Sequence, residues 1–282
     1  MDESRPIPLP LMPQLTFAPR LLQWYADNRR PLPWRTTKDP YALLVSEVML
    51  QQTQAARVIP FYEAFLARFP DPATLAAASP RDVLEAWSGL GYNRRALALQ
   101  AAARVVATSG WPDDLTELPG VGPYTAAAVG AFAWDRPQVA IDTNARRVIE
   151  RFDATSRTPA ALARRAAELL PEARAAEFNQ AMMELGATVC RPRAPRCGDC
   201  PVRDGCATRA AGGPAPTARR RGAERFEDSD RWARGRIVAA LLDGAPLPAS
   251  LSAERRERAL AALERDGLVV RGPDGSVGLP ER

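Results

Sequence analysis

Four cysteines stand close together in the last third of this 282-residue chain, at Cys190, Cys197, Cys200 and Cys206. Thiolates at such spacings could ligate a tetrahedral zinc ion or a 4Fe–4S cluster, and composition alone favours zinc. In a reducing compartment, clustered cysteines indicate metal ligands rather than disulfides. We therefore predict a metal-binding loop over these positions.

Two carboxylates have settings suited to acid–base chemistry. Glu47 interrupts a run of apolar residues with helical spacing, and Asp142 stands in the segment Ile-Asp-Thr-Asn. A carboxylate in apolar surroundings normally needs a partner or a purpose. From the residues alone, however, a surface glutamate on an amphipathic helix is the commoner outcome. The chain has no histidine, which excludes catalysis by Ser-His or Cys-His pairs.

A tight turn is predicted at Gly120-Val121-Gly122, which lies between Pro119 and Pro123. A small-residue helix should follow at once, because proline is well suited to a helix start. The free N–H groups at that start could bind a phosphate. Plain scaffolding is the alternative for such a turn.

A second glycine turn should present an aromatic side chain. Tyr92 follows Gly89 and Gly91 and precedes Arg94 and Arg95. Such a tyrosine can stack on or insert between bases while the arginines meet phosphates. The alternative is a tyrosine packed beneath its own loop.

Apolar periodicity and start signals predict an all-α chain that ends in a small module. Helices are predicted over 61–68, 72–78, 81–87 (with Ser79 as the cap), 97–108, 162–175, 232–242 and 252–265, and a hairpin over Pro273-Asp-Gly. Arg146 and Arg147 are expected on one further helix, where they could form salt bridges or approach phosphates.

The charge balance permits a nucleic-acid partner without requiring one. The formal net charge is +5 and the sequence pI is near 9.4, consistent with one basic face. The N-terminus lacks a leader-like apolar segment and no run is long enough to span a bilayer, so a cytoplasmic location is expected.

The motifs together resemble the helix-hairpin-helix superfamily of base-excision DNA glycosylases. Leu-Pro-Gly-Val-Gly-Pro-Tyr-Thr-Ala at 118–126 matches that superfamily's signature, with Asp142 at the family spacing. Leu-Pro-Trp-Arg at 32–35 and Ser-Glu-Val-Met-Leu-Gln-Gln-Thr-Gln at 46–54 are similar to the A/G-mismatch adenine glycosylases of the MutY type. The resemblance extends from about Leu21 to Cys206.

This resemblance implies a catalytic set. Glu47 would be the catalytic acid, kept partly protonated by its apolar helix, and Asp142 would stabilise or trap the cationic sugar. Tyr124 and Asn144 would orient these groups by hydrogen bonding. The family's lyases carry a lysine where this chain has Tyr124, which predicts a monofunctional enzyme that forms no Schiff base.

The resemblance also implies a DNA-binding set and a cofactor. Gln51 and Gln52 would fill the strand gap, with Gln52 the preferred wedge. Tyr92 would insert beside the mispaired purine. The remaining expected DNA contacts are Arg94, Arg95, Gly120, Val121 and Gly122. The cysteine spacing is that of the family's iron-sulfur loop, so a 4Fe–4S cluster becomes the favoured occupant over zinc.

Two departures from the family pattern concern DNA recognition. Asn93 stands where a second tyrosine is usual. The C-terminal region is too short for the family's Nudix-like domain, which inspects 8-oxoguanine with a loop that includes a histidine. Recognition of the oxidised base is therefore the least supported implication.

We expect an enzyme that removes adenine opposite guanine or 8-oxoguanine from double-stranded DNA by base flipping, as a monomer. The alternatives are a thymine or uracil mismatch glycosylase of the same fold, a non-catalytic DNA-binding iron-sulfur protein and, least favoured, a lyase. The predicted divisions are an N-terminal segment 1–37 packing on the cluster lobe, a helical lobe 38–150 with the helix-hairpin-helix, a cluster lobe 151–207, a basic linker 208–228 and a winged-helix-like module 229–282.

Overall fold

A computed structural model describes residues 12–214 and 225–280, and these residues fold almost entirely as helices. Prolines, serines, threonines and aspartates mark most helix starts, as their stereochemistry favours. The α-helices are α1 (Met12–Asn28), α2 (Pro40–Leu50), α3 (Ala55–Arg68), α4 (Pro72–Ala77), α5 (Pro80–Ala86), α6 (Arg94–Ser109), α7 (Pro123–Trp134), α8 (Thr143–Phe152), α9 (Pro159–Leu169), α10 (Ala175–Thr188), α11 (Ala207–Ala210), α12 (Asp230–Leu242) and α13 (Ala253–Arg265).

The only strands in the described part of the chain are β1 (Val270–Arg271) and β2 (Val277–Gly278), which pair antiparallel. The two strands are joined by the predicted turn at Pro273-Asp-Gly. Short 3₁₀ turns occupy Pro33–Arg35, Leu115–Glu117, Cys197–Asp199, Arg203–Gly205 and Phe226–Asp228. No described helix is long and apolar enough to cross a membrane.

The chain divides into two compact units, each built from two segments. We call the first the cysteine unit, comprising 12–43 and 123–214 of the described residues, and the second the glutamate unit, comprising 44–122 and 225–280. The predicted division at 150/151 differs from the observed one at 122/123. The reason is that α7 and α8 pack on α10, so both helices belong with the cysteines.

The cysteine unit has a core formed by α1, α8, α9 and α10. The rings of Phe17 and Phe152 meet edge to face at 4.7 Å. Next to this core lies a fully buried carboxylate, Glu184, which Arg30 and Arg35 contact at 2.7 and 2.6 Å. These contacts fasten the segment after α1 onto α10.

The core of the glutamate unit lies among α3 to α6, where the ring of Phe65 packs edge to face on Trp87 at 5.9 Å. Local signals place the helix starts: Asp71 accepts from the Thr74 N–H, and Ser79 caps α5 as predicted. The prediction that one helix spans 162–175 is wrong. Pro171 forces the chain out of helix at Leu170, so α9 ends at Leu169.

Candidate functional site

Glu47 lies on α2, whose residues from Tyr41 to Met49 are all buried. Asp39 caps this helix by accepting from the N–H groups of Tyr41 and Ala42. The Glu47 side chain is 4% exposed and its neighbour Ser46 is fully buried. The predicted placement of a carboxylate inside an apolar helix is therefore confirmed, whereas its catalytic role stays a prediction.

The carboxyl end of α2 is held by Arg95. Its guanidinium donates to the carbonyls of Val48, Met49 and Gln51 at 2.7, 3.1 and 2.8 Å, and to that of Gly91 at 2.9 Å. The last carbonyls of a helix lack helical partners, and a cation stabilises them. Burial lowers the pKa of Arg95 to about 10, which leaves it protonated at neutral pH. The sequence predicts Arg95 at the DNA surface with Arg94, but its guanidinium binds these carbonyls, and the geometry makes it a positioning residue.

The side chains of Gln52 and Tyr92, which lie on two different turns, are hydrogen-bonded to each other; we call them the Gln52–Tyr92 pair. The Tyr92 hydroxyl donates to the Gln52 side-chain oxygen at 2.6 Å. Both residues have left-handed φ values, +56° and +50°, which are uncommon for residues other than glycine. Tyr92 is 37% exposed rather than packed beneath its loop. The sequence singled out both residues but gave no sign that they bond to each other.

The glycine turn has the predicted form. Gly120 has φ +75°, and a Cβ there would lie 2.6 Å from the Ala98 Cβ on α6. Val121 is buried while Gly122 is exposed. The helix that follows, α7, begins at Pro123 as predicted. Gly120 is thus required both by its backbone angle and by close packing on α6.

Asp142 caps α8 in the cysteine unit. One carboxylate oxygen accepts from the Ala145 N–H at 2.6 Å, and the other accepts from the Asn144 side-chain amide at 2.7 Å. The predicted hydrogen bond between Asn144 and Asp142 is therefore present. Tyr124 is half-buried, and its hydroxyl lies 4.0 Å from the Met183 sulfur.

Arg147 connects this aspartate to the first cysteine. It donates to the Asn144 side-chain oxygen at 2.7 Å and to the backbone carbonyls of Gly186 and Cys190 at 2.7 and 2.8 Å. Burial lowers the pKa of Arg147 below its ordinary value. The sequence left open whether Arg146 and Arg147 form salt bridges or approach phosphates. Arg146 forms a salt bridge to Glu150 at 3.1 Å. Arg147 instead forms the hydrogen bonds just described.

All four cysteines line one small cavity of about 30 Å³. Arg151 donates toward the Cys190 sulfur at 3.6 Å and to the carbonyl of Arg191 at 2.8 Å. Burial raises the pKa of the Cys200 thiol to about 11. Among the described residues, no group of three or more His, Cys, Asp or Glu side chains is placed to hold a metal ion. The four sulfurs around one cavity, with a cation beside Cys190, fit an anionic multi-thiolate group.

The structure therefore assembles the predicted residues in two places. In the glutamate unit, one cavity is lined by members of the expected DNA-binding set, namely Gln51, Gln52, Tyr92, Arg94, Arg95, Gly120 and Val121. In the cysteine unit, Asp142 and Asn144 are linked through Arg147 to Cys190. The sequence missed Arg151 and Glu184, because their partners are remote along the chain.

Comparison with known proteins agrees with these features. Residues 45–172 match the model of the HhH-GPD superfamily base excision DNA repair protein. The chain is 42% identical to the adenine DNA glycosylase of Mycolicibacterium smegmatis over 92% of its own length and 94% of that protein's. It is 43% identical to the adenine DNA glycosylase of Mycobacterium tuberculosis over 92% of each. With the human adenine DNA glycosylase the identity is 41%, over 68% of this chain and 39% of the human one.

Solved structures share the fold. A thermostable thymine-DNA glycosylase is similar with a TM-score of 0.66 and 29% identity, over 71% of this chain and 98% of that one. A non-covalent endonuclease III–DNA complex is similar with a TM-score of 0.62 and 20% identity, over 73% and 99%. The class is thus that of helical base excision DNA repair proteins. Within this superfamily, the chain belongs to the family of adenine DNA glycosylases.

Proposed function

We propose that this protein is a monofunctional glycosylase, active as a monomer, that hydrolyses the N-glycosidic bond of adenine mispaired with guanine or 8-oxoguanine in duplex DNA. The observation that carries the proposal is the match to adenine DNA glycosylases over almost the whole chain, combined with a buried Glu47 and an oriented Asp142. The base leaves through an oxocarbenium-like sugar, which requires one proton donor and one source of negative charge.

In this mechanism, Glu47 donates its proton to adenine N7 and afterwards activates water. Its setting on an apolar helix supports the acid role, because burial disfavours the charged form of a carboxyl group. Flipping the adenine from the stack is less costly when the base is mispaired. Gln52 then enters the space that the base leaves, and Tyr92 inserts beside the mispaired purine.

Asp142 supplies the negative charge at the anomeric carbon. Two hydrogen-bond donors, the Ala145 N–H and the Asn144 amide, fix its two oxygens. Tyr124 stands where the family's lyases carry the nucleophilic lysine, and Lys38 is the only lysine of the chain. Asp142 therefore acts on the cation without a Schiff base, and borohydride should trap no complex with DNA.

DNA contact rests on the Gln52–Tyr92 pair, on the turn at Gly120 to Gly122 and on Arg94. In the cysteine unit, the exposed arginines of the cysteine loop, Arg191, Arg193 and Arg196, can meet phosphates. These assignments follow from the family resemblance and from exposure.

Cys190, Cys197, Cys200 and Cys206 hold a 4Fe–4S cluster in this proposal. The shared cavity and the nearby Arg151 suit four thiolates. When bound, the cluster would hold in place the loop that carries the basic residues. Hydrolysis of the glycosidic bond needs no redox step. Iron and acid-labile sulfide analysis of anaerobically purified protein tests this: about four of each per chain is expected, whereas one zinc per chain would contradict it.

The region after 225 forms a winged-helix-like module in this proposal. Its two helices, α12 and α13, precede the β1–β2 hairpin, which supports that assignment.

Single-turnover base release tests the main proposal. Duplexes would carry adenine opposite 8-oxoguanine, adenine opposite guanine, or thymine or uracil opposite guanine, with Glu47→Gln as the inactive control. Adenine should be released and the variant should release none. The likeness to a thymine-DNA glycosylase makes thymine the second candidate, and release of thymine or uracil with adenine intact would establish it instead.

A further inference from the structure

The C-terminal module contacts the Gln52–Tyr92 pair directly. Arg231, near the start of α12, donates to the Tyr92 hydroxyl oxygen at 2.6 Å. Its guanidinium also lies over the Tyr92 ring at 4.9 Å and over the Phe226 ring at 4.7 Å. Because the Tyr92 hydroxyl donates onward to Gln52, the three side chains form one chain of hydrogen bonds.

This series of hydrogen bonds acts on Gln52 and Tyr92, whose backbone is already fixed. Arg95 binds the carbonyls of Gln51 and Gly91, the residues immediately before Gln52 and Tyr92. Left-handed φ values at such residues persist only where surrounding contacts determine them. Arg95 thus fixes the two backbones and also lies over the Tyr92 ring at 5.5 Å, whereas Arg231 is the residue that donates to the Tyr92 hydroxyl oxygen.

Arg231 belongs to a module that has further contacts with the rest of the glutamate unit. Arg81 of α5 donates to the carbonyls of Leu241 and Leu242 at the end of α12. Asp266, after α13, pairs with Arg234 and lies 3.7 Å from Arg94. The cavity beside Tyr92 has a volume of about 670 Å³. It is lined on one side by the glycine turn and on another by α12.

We propose that Arg231 is a positioning residue for the DNA wedge. Through the Tyr92 hydroxyl and ring it holds Tyr92 and Gln52 in the arrangement that enters the duplex, so the C-terminal module takes part in probing the mismatch. This inference rests on the proposed adenine glycosylase function and names a residue outside the motifs that carry it.

The test compares Arg231→Ala, Arg231→Lys, Tyr92→Phe and the double variant Arg231→Ala/Tyr92→Phe. Arg265→Ala is the matched control, since it removes an exposed arginine from α13 of the same module. Base unstacking is followed by the fluorescence of 2-aminopurine placed at the target adenine, in the Glu47→Gln background so that no bond is cleaved. Adenine release is followed separately with Glu47 intact.

Arg231→Ala removes the hydrogen bond and the cation–π contact to Tyr92, and this loss predicts a roughly tenfold slower fluorescence rise and adenine release. The double variant should be only about two- to threefold slower than Tyr92→Phe, because Tyr92→Phe already removes the hydrogen bond to Arg231 and leaves only the contact with the ring to be lost. Arg231→Lys should recover part of the rate. Arg265→Ala should match the unsubstituted protein, and all variants should melt at similar temperatures.

Equal rates for Arg231→Ala and Arg265→Ala would overturn the inference, as would a tenfold effect that persists undiminished in the Tyr92→Phe background. Failure of the proposed function is a separate outcome. In that case the unsubstituted protein releases no adenine, while the fluorescence comparison still decides whether Arg231 controls insertion.

Discussion

Asp142 has two tasks that can be separated by substitution. Its carboxylate caps α8 and, in the proposed mechanism, also faces the cationic sugar. Asparagine is as good a helix cap as aspartate but carries no charge. The residue therefore offers a variant in which the helix is kept and the chemistry is lost.

We predict that Asp142→Asn lowers single-turnover adenine release by about 10²- to 10⁴-fold, with little change in stability. Asp142→Ala should lose the same activity and about 1 kcal/mol of unfolding free energy in addition. Quenched-flow assays and urea titrations measure the two effects. Full activity in Asp142→Asn would exclude a catalytic charge at this position.

Because of the ion pairs of Glu184, we predict that the stability of the protein depends on pH. Burial favours its neutral form, but the hydrogen bonds and charges of Arg30 and Arg35 outweigh burial and lower the pKa of Glu184 below its ordinary value. A lowered pKa means that the contribution to stability is complete above the ordinary carboxyl range and is lost as pH falls through the folded-state value.

Glu184→Gln should cost on the order of 3 kcal/mol at neutral pH, since the nearly buried Arg35 loses its charged partner. The difference from the unsubstituted protein should be constant above about pH 5 and shrink toward pH 3. Urea titrations across this range measure it. Glu254→Gln, which removes an exposed carboxylate, should change stability by less than about 0.5 kcal/mol at any of these pH values.

At the scale of elements, α8 and α10 pack so closely that a side chain at their contact is excluded. A Cβ on Gly186 would lie 2.6 Å from the Asn144 Cβ. The same contact carries the Asn144–Asp142 hydrogen bond and the Arg147 link, so helix spacing and the placement of Asp142 are coupled.

Gly186→Ala is therefore expected to lower the unfolding free energy by about 1–3 kcal/mol, as overpacking does, and to reduce adenine release as Asn144 shifts. Gly235→Ala on α12 is the matched control. Its added Cβ meets nothing within 4 Å, and alanine is the better helix former. Thermal melts of both variants measure the contrast, and a Gly186→Ala protein that melts no lower than the control would contradict this packing argument.

The limits of sequence reasoning are visible in the same elements. Ser79 at a helix start, Pro123 at the head of α7 and the final hairpin were predictable, because their causes are local in the chain. Arg95 and Arg147 were not, because most of their carbonyl acceptors lie more than thirty residues away. A spacing pattern identifies side chains, but it contains no information about which remote backbone oxygen an arginine will reach.

For the whole molecule, the excess of basic over acidic residues is small, with 38 against 33. Many arginines are already engaged with carboxylates or carbonyls, so affinity for DNA should depend on a limited number of exposed ones. Counterion release makes each phosphate contact visible as a change in the salt dependence of binding.

Arg193→Ala should reduce the slope of log affinity against log salt by about 0.9 for duplex DNA, the value for one lost phosphate contact. Arg265→Ala, which removes an equal charge from α13, should leave the slope unchanged. Fluorescence anisotropy at several salt concentrations measures both. Equal slopes in the two variants would remove the cysteine loop from the proposed DNA surface.

The cysteine unit is assembled from two segments that are distant in the chain, and this has a consequence for biosynthesis. Tyr25 of α1 bonds to Gln180 of α10, 155 positions later, and the apolar face of α1 packs on the same helix. At ribosomal rates of about 5–20 residues per second, α1 waits roughly 8–30 seconds for its partner to be made. During that interval Phe17, Leu21 and Tyr25 are exposed on the nascent chain. Packing of α1 therefore has to wait until the chain has been synthesised through α10.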